Sequence, residues 1–382
     1  MTQISPWATP ELEDFRRSVR RFLEQDIVPN REKWEKQQYV DRDLWLKAGE
    51  LGMICASVPE EYGGIGGTYA HEAVIIEEQA RVNDSALGVV MGSTLAMPLF
   101  LKAASEEQKH RYIPQITTGE KILAFALTEP GAGSDAKAIR TTAERKGDKY
   151  IINGQKTFIS NGYNADLAMV VARTGPKETG TRGISMFLVE TRNRSGYRFG
   201  NILPKIGQKG QDTAELFFDN MEVPADCLMG PEEGKGFAQI MSGFEIERTT
   251  IGLIGIANAE RALELTLEHT KAREAFGGTL FDQPVVRQKL AECATEIRIG
   301  RTFIDDCIQR VIDGTLDNAT ASMAKWWCTE LQGRVLDTCV QLHGGYGYMT
   351  EYQVARMYAD ARVQRIYGGA NEIQKEVVAR SL

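Results

Sequence analysis

The feature that most constrains this chain is a change of texture: a central stretch of short β-type runs separates two stretches whose apolar residues recur at helical spacing. Up to residue 120 the pattern is helical. Thr9-Pro10 reads as an N-cap followed by proline at the first helical position, and Phe15, Val19, Phe22 and Leu23 then share one helical face. Ser105-Glu106-Glu107-Gln108 has the form of a capping box, and the glycine-rich loop 60–67 breaks the region in its middle. From 121 to 232 the runs shorten. Tyr150-Ile151-Ile152, Asn153-Gly154, then Lys156-Thr157-Phe158-Ile159-Ser160 predicts strand, hairpin turn, strand, because Asn-Gly suits the positive φ of such a turn. Runs at 167–172, 184–189 and 216–218 add further strands. After Gly234-Lys235-Gly236, longer helical segments return at roughly 237–270, 285–313 and 317–342, with a last helix after Tyr367-Gly368-Gly369. The expectation is an α+β protein of three units: a helical domain over 1–120, a β barrel or sandwich over 121–232, and a helical domain over 233–382.

Composition narrows the function classes. The 382 residues carry a net charge of -7, with Lys and Arg scattered rather than bunched, so the basic footprint of nucleic-acid binding is missing. No apolar run approaches the roughly 20 residues that a membrane helix needs. The basic cluster at 16–21 is flanked by Glu11, Glu13, Asp14, Glu24 and Asp26, whereas a transit peptide is poor in acids; the reading is a cytoplasmic, bacterial-type protein. Six cysteines lie far apart, with no Cys-x-x-Cys pair, and read as reduced thiols packed in a core. The four histidines form no ligand spacing with them, so no metal site is expected.

Five segments can carry chemistry, and each has a plainer reading. The loop 125–135 follows an apolar run. Its glycines let the backbone approach a bulky ligand, and Thr128 and Ser134 offer hydroxyls; alone, such a loop is more often a simple turn. Its Gly131-x-Gly133-x-x-Ala136 mimics a dinucleotide fingerprint, but that reading requires a helix next, and the expected hairpin follows instead. In the strand 156–162, Phe158 and Ser160 are two apart and share a face, as a flat ring would require; an ordinary amphipathic strand does the same. Glu247 aligns with Ile251, Ile254 and Asn258 on a helix that carries no charge from 249 to 259. A carboxylate on an apolar stripe gains a raised pKa, which a general base near neutrality needs, while a first-turn glutamate favoured by the helix dipole fits equally well. The clusters Gln341-Leu342-His343-Gly344-Gly345 and Tyr367-Gly368-Gly369-Ala370-Asn371-Glu372 are either helix caps or places where backbone meets ligand.

Taken together and in this order, the five segments resemble the acyl-CoA dehydrogenase family over essentially the whole chain. The resemblance implies the family's fold, with a C-terminal four-helix bundle, and FAD held between the β domain and that bundle. Residue by residue, Phe125, Leu127, Thr128, Gly133 and Ser134 match the first flavin loop. Phe158 and Ser160 match the pair against the ring, where many members have Trp and Thr. Arg273 and Phe276 match the Arg-x-x-Phe that reaches a neighbouring subunit's FAD. Gln341, Gly344 and Gly345 match the contact with its diphosphate, and Ala370 and Glu372 the last adenosine contacts. Ala370 stands where many members have Thr, and Pro284 where a Gln is frequent. Ser134, Phe244, Arg248, Tyr367 and Gly368 are the substrate-side matches.

One departure bears on mechanism. Much of the family places its catalytic glutamate immediately after the Tyr367 position, where this chain has Gly368; a smaller branch, with long-chain and isovaleryl-type members, carries it on the helix matching Glu247-Arg248. The resemblance therefore assigns the α-proton base to Glu247, with hydride transfer from the β carbon to flavin N5, and the Gly368 N–H as one donor to the thioester carbonyl. It also implies an acyl-CoA of medium, long or branched chain, electron-transferring flavoprotein as acceptor, and a homotetramer or dimer. Acyl-CoA oxidases, dehydrogenases of carrier-protein-bound acyl groups and non-catalytic flavoproteins of the same fold share these motifs.

Overall fold

The first helix forms where its cap predicts. The Thr9 hydroxyl accepts from the Leu12 N–H at 3.2 Å, and α1 (Pro10–Phe22) buries Leu12, Val19 and Phe22. The computed structural model describes residues 5–382. Six further helices follow: α2 (Arg31–Gln37), α3 (Arg42–Glu50), α4 (Tyr69–Val82), the single turn α5 (Val89–Met91), α6 (Met97–Ala103) and α7 (Glu106–Thr117). The capping box of α7 closes in both directions, Gln108 N–H to the Ser105 hydroxyl at 3.2 Å and Ser105 N–H to Gln108 Oε1 at 3.0 Å.

The β domain has seven strands: β1 (Leu123–Ala126), β2 (Thr142–Lys146), β3 (Lys149–Ser160), β4 (Leu167–Arg173), β5 (Ile184–Glu190), β6 (Tyr197–Ile202) and β7 (Thr213–Pro224). The antiparallel set β2-β3-β7-β6 joins the set β1-β4-β5 only through the pair Thr142–Arg173, and β1 runs parallel to β4. The two sets face each other across a core that includes Tyr150, Ile152 and Phe218 on one side and Val170 and Phe187 on the other. Strand β4 reads as an unbroken apolar run because both its faces are covered. Leu167, Met169 and Val171 meet the N-terminal helices, while Ala168, Val170 and Ala172 enter the β core.

Here one sequence expectation fails. Asn153-Gly154 is not a hairpin turn; it lies inside β3, at a shift of register against β7. The turn is Gly147-Asp148, which joins β2 to β3 in the register Lys146–Lys149, with Gly147 at φ +65°. Gly154 is required for a different reason: a Cβ there would lie 2.5 Å from the Thr141 hydroxyl and 2.7 Å from Thr141 Cα. The dinucleotide reading of 131–136 is still wrong, because only the one-turn segment Ala136–Ala138 precedes β2 and no βαβ unit forms.

Beyond the short α8 (Gly236–Met241), three long helices build the C-terminal unit: α9 (Phe244–Ala272), α10 (Pro284–Ile312) and α11 (Asn318–His343), with a two-residue-per-strand ribbon, β8 (Glu274–Ala275) and β9 (Gly278–Thr279), between the first two. Then come α12 (Gln353–Ala361) and α13 (Asn371–Ala379), both packed on α11; the fourth member of the bundle is thus short, and α4 of the N-terminal region also lies against α9. Gly252 and Gly255 let α9 approach α11 closely, since a Cβ at either would stand about 3 Å from the carbonyl oxygen of Ala324 or Cys328. Five of the six cysteines are buried and all are free. Among the described residues no helix is long and apolar enough to cross a membrane.

Candidate active site

Glu247 occupies the first turn of α9, which starts at Phe244 with Gly243 as its N-cap, just after Ser242 closes α8. Its side chain is only 7% exposed, and among the described residues it has no hydrogen-bonded or ion-paired partner. Burial pushes its carboxyl up to about 7, against the opposing pull of the Arg248 and Lys325 charges. The helix stripe read from the sequence is real: Ile251 is buried one turn on, and Ile254 and Asn258 follow.

What faces Glu247 is the turn before α13. Gly368 and Gly369 both have left-handed backbones, φ +61° and +80°, and a Cβ on Gly368 would lie 3.5 Å from Glu247 Oε1. The carboxylate therefore projects into the space beside position 368, although the two residues are 121 apart in sequence. The turn is gripped from its inner side. Gln374 donates to the carbonyls of Gly368 and Gly369 at 3.1 and 3.2 Å, and Lys325, on α11, donates to the Gly369 carbonyl and to Asn371 Oδ1 at 2.8 Å each. The Gly368 N–H donates to no protein group among the described residues. Burial brings the Lys325 ammonium down to about 8, with the Glu247 charge pulling the other way. Arg248 is held to Asn318 and to Ser322 and lies 5.3 Å from the Phe244 ring centre. Sequence reasoning missed Lys325, Gln374 and Asn371; the only available hint was that Lys325 stands as a single charge in the run 318–329, and the structure buries it fully.

The remaining candidates fall into two groups. In the β domain, the Thr157 N–H donates to the Thr128 carbonyl at 2.9 Å, which joins the loop of Phe125, Leu127, Thr128, Gly133 and Ser134 to the segment of Phe158 and Ser160. Phe158 is 66% exposed at φ +59°, where β3 slips register against β7; an aromatic in that backbone region is strained by roughly 1–3 kcal/mol and persists only where its surroundings fix it. Ser160 is half-buried, so the pair lies on the side away from the core. The second group gathers at the far end of α9, about 39 Å along the helix from Glu247 at 1.5 Å per residue. There Arg273 lies over the Tyr346 ring, beside Gln341, Gly344 and Gly345, and Phe276 stands 89% exposed at the tip of the β8–β9 ribbon. Ala370 and Glu372 sit at the start of α13, just past the Gly368-Gly369 turn.

These residues fit a large planar cofactor with a polar tail. Uncovered aromatics stand where a ring would lie, and a Cβ at Gly131, Gly133, Gly344 or Gly345 would meet nothing within 4 Å. A buried, unpartnered carboxylate set against a free backbone donor is equipment for removing a proton from carbon next to a carbonyl. Fold and site together thus define a helical–β–helical protein in which a buried, unpartnered carboxylate faces an open backbone donor.

Comparison with known proteins agrees. The chain matches the acyl-CoA dehydrogenase N-terminal domain over residues 9–120, the middle domain over 124–221 and the C-terminal domain over 234–382. It is 46% identical to the mitochondrial long-chain specific acyl-CoA dehydrogenase of Rattus norvegicus across 96% of this chain and 85% of that one. The crystal structure of an acyl-CoA dehydrogenase from Geobacillus kaustophilus superposes with a TM-score of 0.96 at 44% identity, covering 99% of each chain. A glutaryl-CoA dehydrogenase from Mycobacterium smegmatis in complex with FADH2 gives 0.90 at 27% identity, covering 98% of this chain and 95% of that one. The chain belongs to the acyl-CoA dehydrogenase family.

Proposed function

We propose that this acyl-CoA dehydrogenase uses Glu247 as the base in the FAD-dependent α,β-dehydrogenation of an acyl-CoA thioester to the trans-2-enoyl-CoA. The observation that carries the reading is the Glu247 carboxylate, buried and unpartnered, set against the space beside Gly368. Bound FAD supplies the acceptor for the hydride from the β carbon. Phe125, Leu127, Thr128, Gly133, Ser134, Phe158 and Ser160 hold its ring end. Arg273, Phe276, Gln341, Gly344, Gly345, Ala370 and Glu372 hold its diphosphate and adenosine, the first five from a neighbouring subunit.

The chain's own groups then do the acid–base work. The Gly368 N–H donates to the thioester carbonyl, so charge that develops at the α carbon spreads onto an oxygen already facing a fixed donor. Gln374 and Lys325 hold that donor in place through the carbonyls of the same turn. Glu247, with a pKa lifted to about 7 by burial, takes the α proton at neutral pH. Arg248, pinned by Asn318 and Ser322, holds the first turn of α9. Electron-transferring flavoprotein is the proposed acceptor, a homotetramer or dimer the proposed assembly, and medium, long or branched acyl chains the proposed substrates.

Glu247→Gln tests the assignment. Anaerobic bleaching of the flavin by acyl-CoA should slow by roughly 10²–10⁴-fold, the contribution expected of a positioned base, while the protein stays folded and yellow. Bleaching at the wild-type rate would remove Glu247 from the mechanism.

A further inference from the structure

Gly368 brings no side chain to the site, yet the place a side chain would take is filled. Its Cβ position lies 3.5 Å from Glu247 Oε1 and 2.2 Å from Ile251 Cδ1. Ile251 stands one turn after Glu247 on α9, and helical side chains lean toward the N-terminus, so its end reaches back beside the carboxylate. Ile251 is only 2% exposed, but among the described residues it belongs to none of the three hydrophobic cores. Its side chain closes the site rather than filling a core.

Beyond Ile251 the stripe on α9 meets a cavity whose accessible lining is mostly apolar. Ile254 and Asn258, roughly 10 and 16 Å past Glu247 along the helix axis, line it together with Tyr367, and Ile76, Ala80 and Val90 add apolar wall. An acyl group whose α carbon faces Glu247, and whose carbonyl oxygen accepts from the Gly368 N–H, must pass Ile251 to reach this space. The β carbon, which gives up the hydride, is the first to pass the Ile251 methyl. A straight chain presents only hydrogens there. A methyl branch on the β carbon would need the volume that Ile251 Cδ1 holds, and a packed site yields such volume only at a cost. A 3-methyl thioester keeps an α proton and a β hydrogen, so the chemistry itself would not exclude it.

We infer that Ile251 is a specificity-determining residue that restricts this enzyme to acyl-CoA thioesters unbranched at the β carbon. The inference rests on the acyl-CoA reading above and narrows its substrate class. It is tested on the FAD-loaded enzyme with paired thioesters, butyryl-CoA against 3-methylbutyryl-CoA and decanoyl-CoA against 3-methyldecanoyl-CoA, comparing kcat/KM. In each pair the straight chain should exceed the branched one by roughly 10–200-fold, the range for one extra carbon that a pocket does not accommodate. Ile251→Val deletes Cδ1 alone and touches no core, so the variant should fold. It should raise kcat/KM for the branched compounds and cut the ratio by about threefold or more, with Ile251→Ala cutting it further. Ile254→Val, one turn deeper, should leave the ratio in place. A wild-type ratio below about threefold, or one that Ile251→Val and Ile254→Val move equally or not at all, overturns the inference while leaving the dehydrogenase reading intact. Failure of every thioester, straight or branched, to bleach the flavin would instead overturn that reading, and this one with it.

Discussion

Two buried glutamates in this molecule each have a buried lysine as neighbour, and they have opposite fates. In the β domain, Glu129 is bonded by Lys156 Nζ at 2.7 Å and by the Arg140 and Thr141 N–H groups at 2.6 and 3.0 Å. Burial pulls its carboxyl up, but the Lys156 charge and these donors more than offset it and hold it below the usual range. On α9, Glu247 is as deeply buried but has no donor, and its carboxyl rises to about 7. Lys325 supplies charge without contact; two of its three hydrogens go to the Gly369 carbonyl and to Asn371 Oδ1. Burial alone therefore does not make a base. The decisive feature is that the first carboxylate is satisfied and the second is left waiting for a proton.

The sharpest way to break this comparison is to neutralise the structural member. Glu129→Gln leaves the Lys156 ammonium buried without its counter-charge and should cost about 3–5 kcal/mol of stability, read by denaturant unfolding. Because the pair also ties the 125–135 loop to β3, FAD affinity should fall with it. The rate of bleaching per bound flavin should change little. A large loss of that rate with stability intact would mean that Glu129 belongs to the chemistry and that the contrast is misdrawn.

How much of this was legible beforehand differs between the two glutamates. The helical regions announced themselves through period and, in α1 and α7, through caps, since helices are local structures whose signals lie within a few residues. The uncharged run after Glu247 also pointed to burial. The β domain was harder. Its pairings are non-local, so nothing in 123–126 and 167–170 declares that β1 runs parallel to β4, and Asn153-Gly154 carried a hairpin signal for what is a close approach of β3 to Thr141. The same limit hid Lys325 and Gln374. Each grips a turn that only the assembled fold brings within reach, and a carbonyl's partner leaves no mark on its own sequence.

A second, smaller effect follows from the charges around the base. The reductive rate should climb about tenfold per pH unit on the acid side and level off near pH 7, because only ionised Glu247 accepts the proton. Lys325→Met removes a charge that favours the ionised form, so the midpoint should move upward; Lys156→Met, in the β domain, should leave it in place. Stopped-flow reduction across pH reads both. A fall in rate for Lys325→Met with an unmoved midpoint would show that Lys325 acts only by holding the turn.

The smallest expected effect concerns where a base can stand. The carboxylate of Glu247 reaches the space in front of Gly368, so Glu247→Thr combined with Gly368→Glu puts a carboxylate there from the opposite backbone. Two costs oppose it. The left-handed backbone at 368 disfavours any side chain by roughly 1–2 kcal/mol, and the new Cβ would lie 2.2 Å from Ile251 Cδ1. Only a small part of the bleaching rate should return in the double variant. Adding Ile251→Val deletes the atom in the way and should raise the recovered rate several-fold, since the clash lies with the end of a side chain rather than with backbone. If neither variant bleaches faster than Glu247→Thr alone, the two positions do not address the same carbon, and the space beside Gly368 is not where the thioester presents its proton.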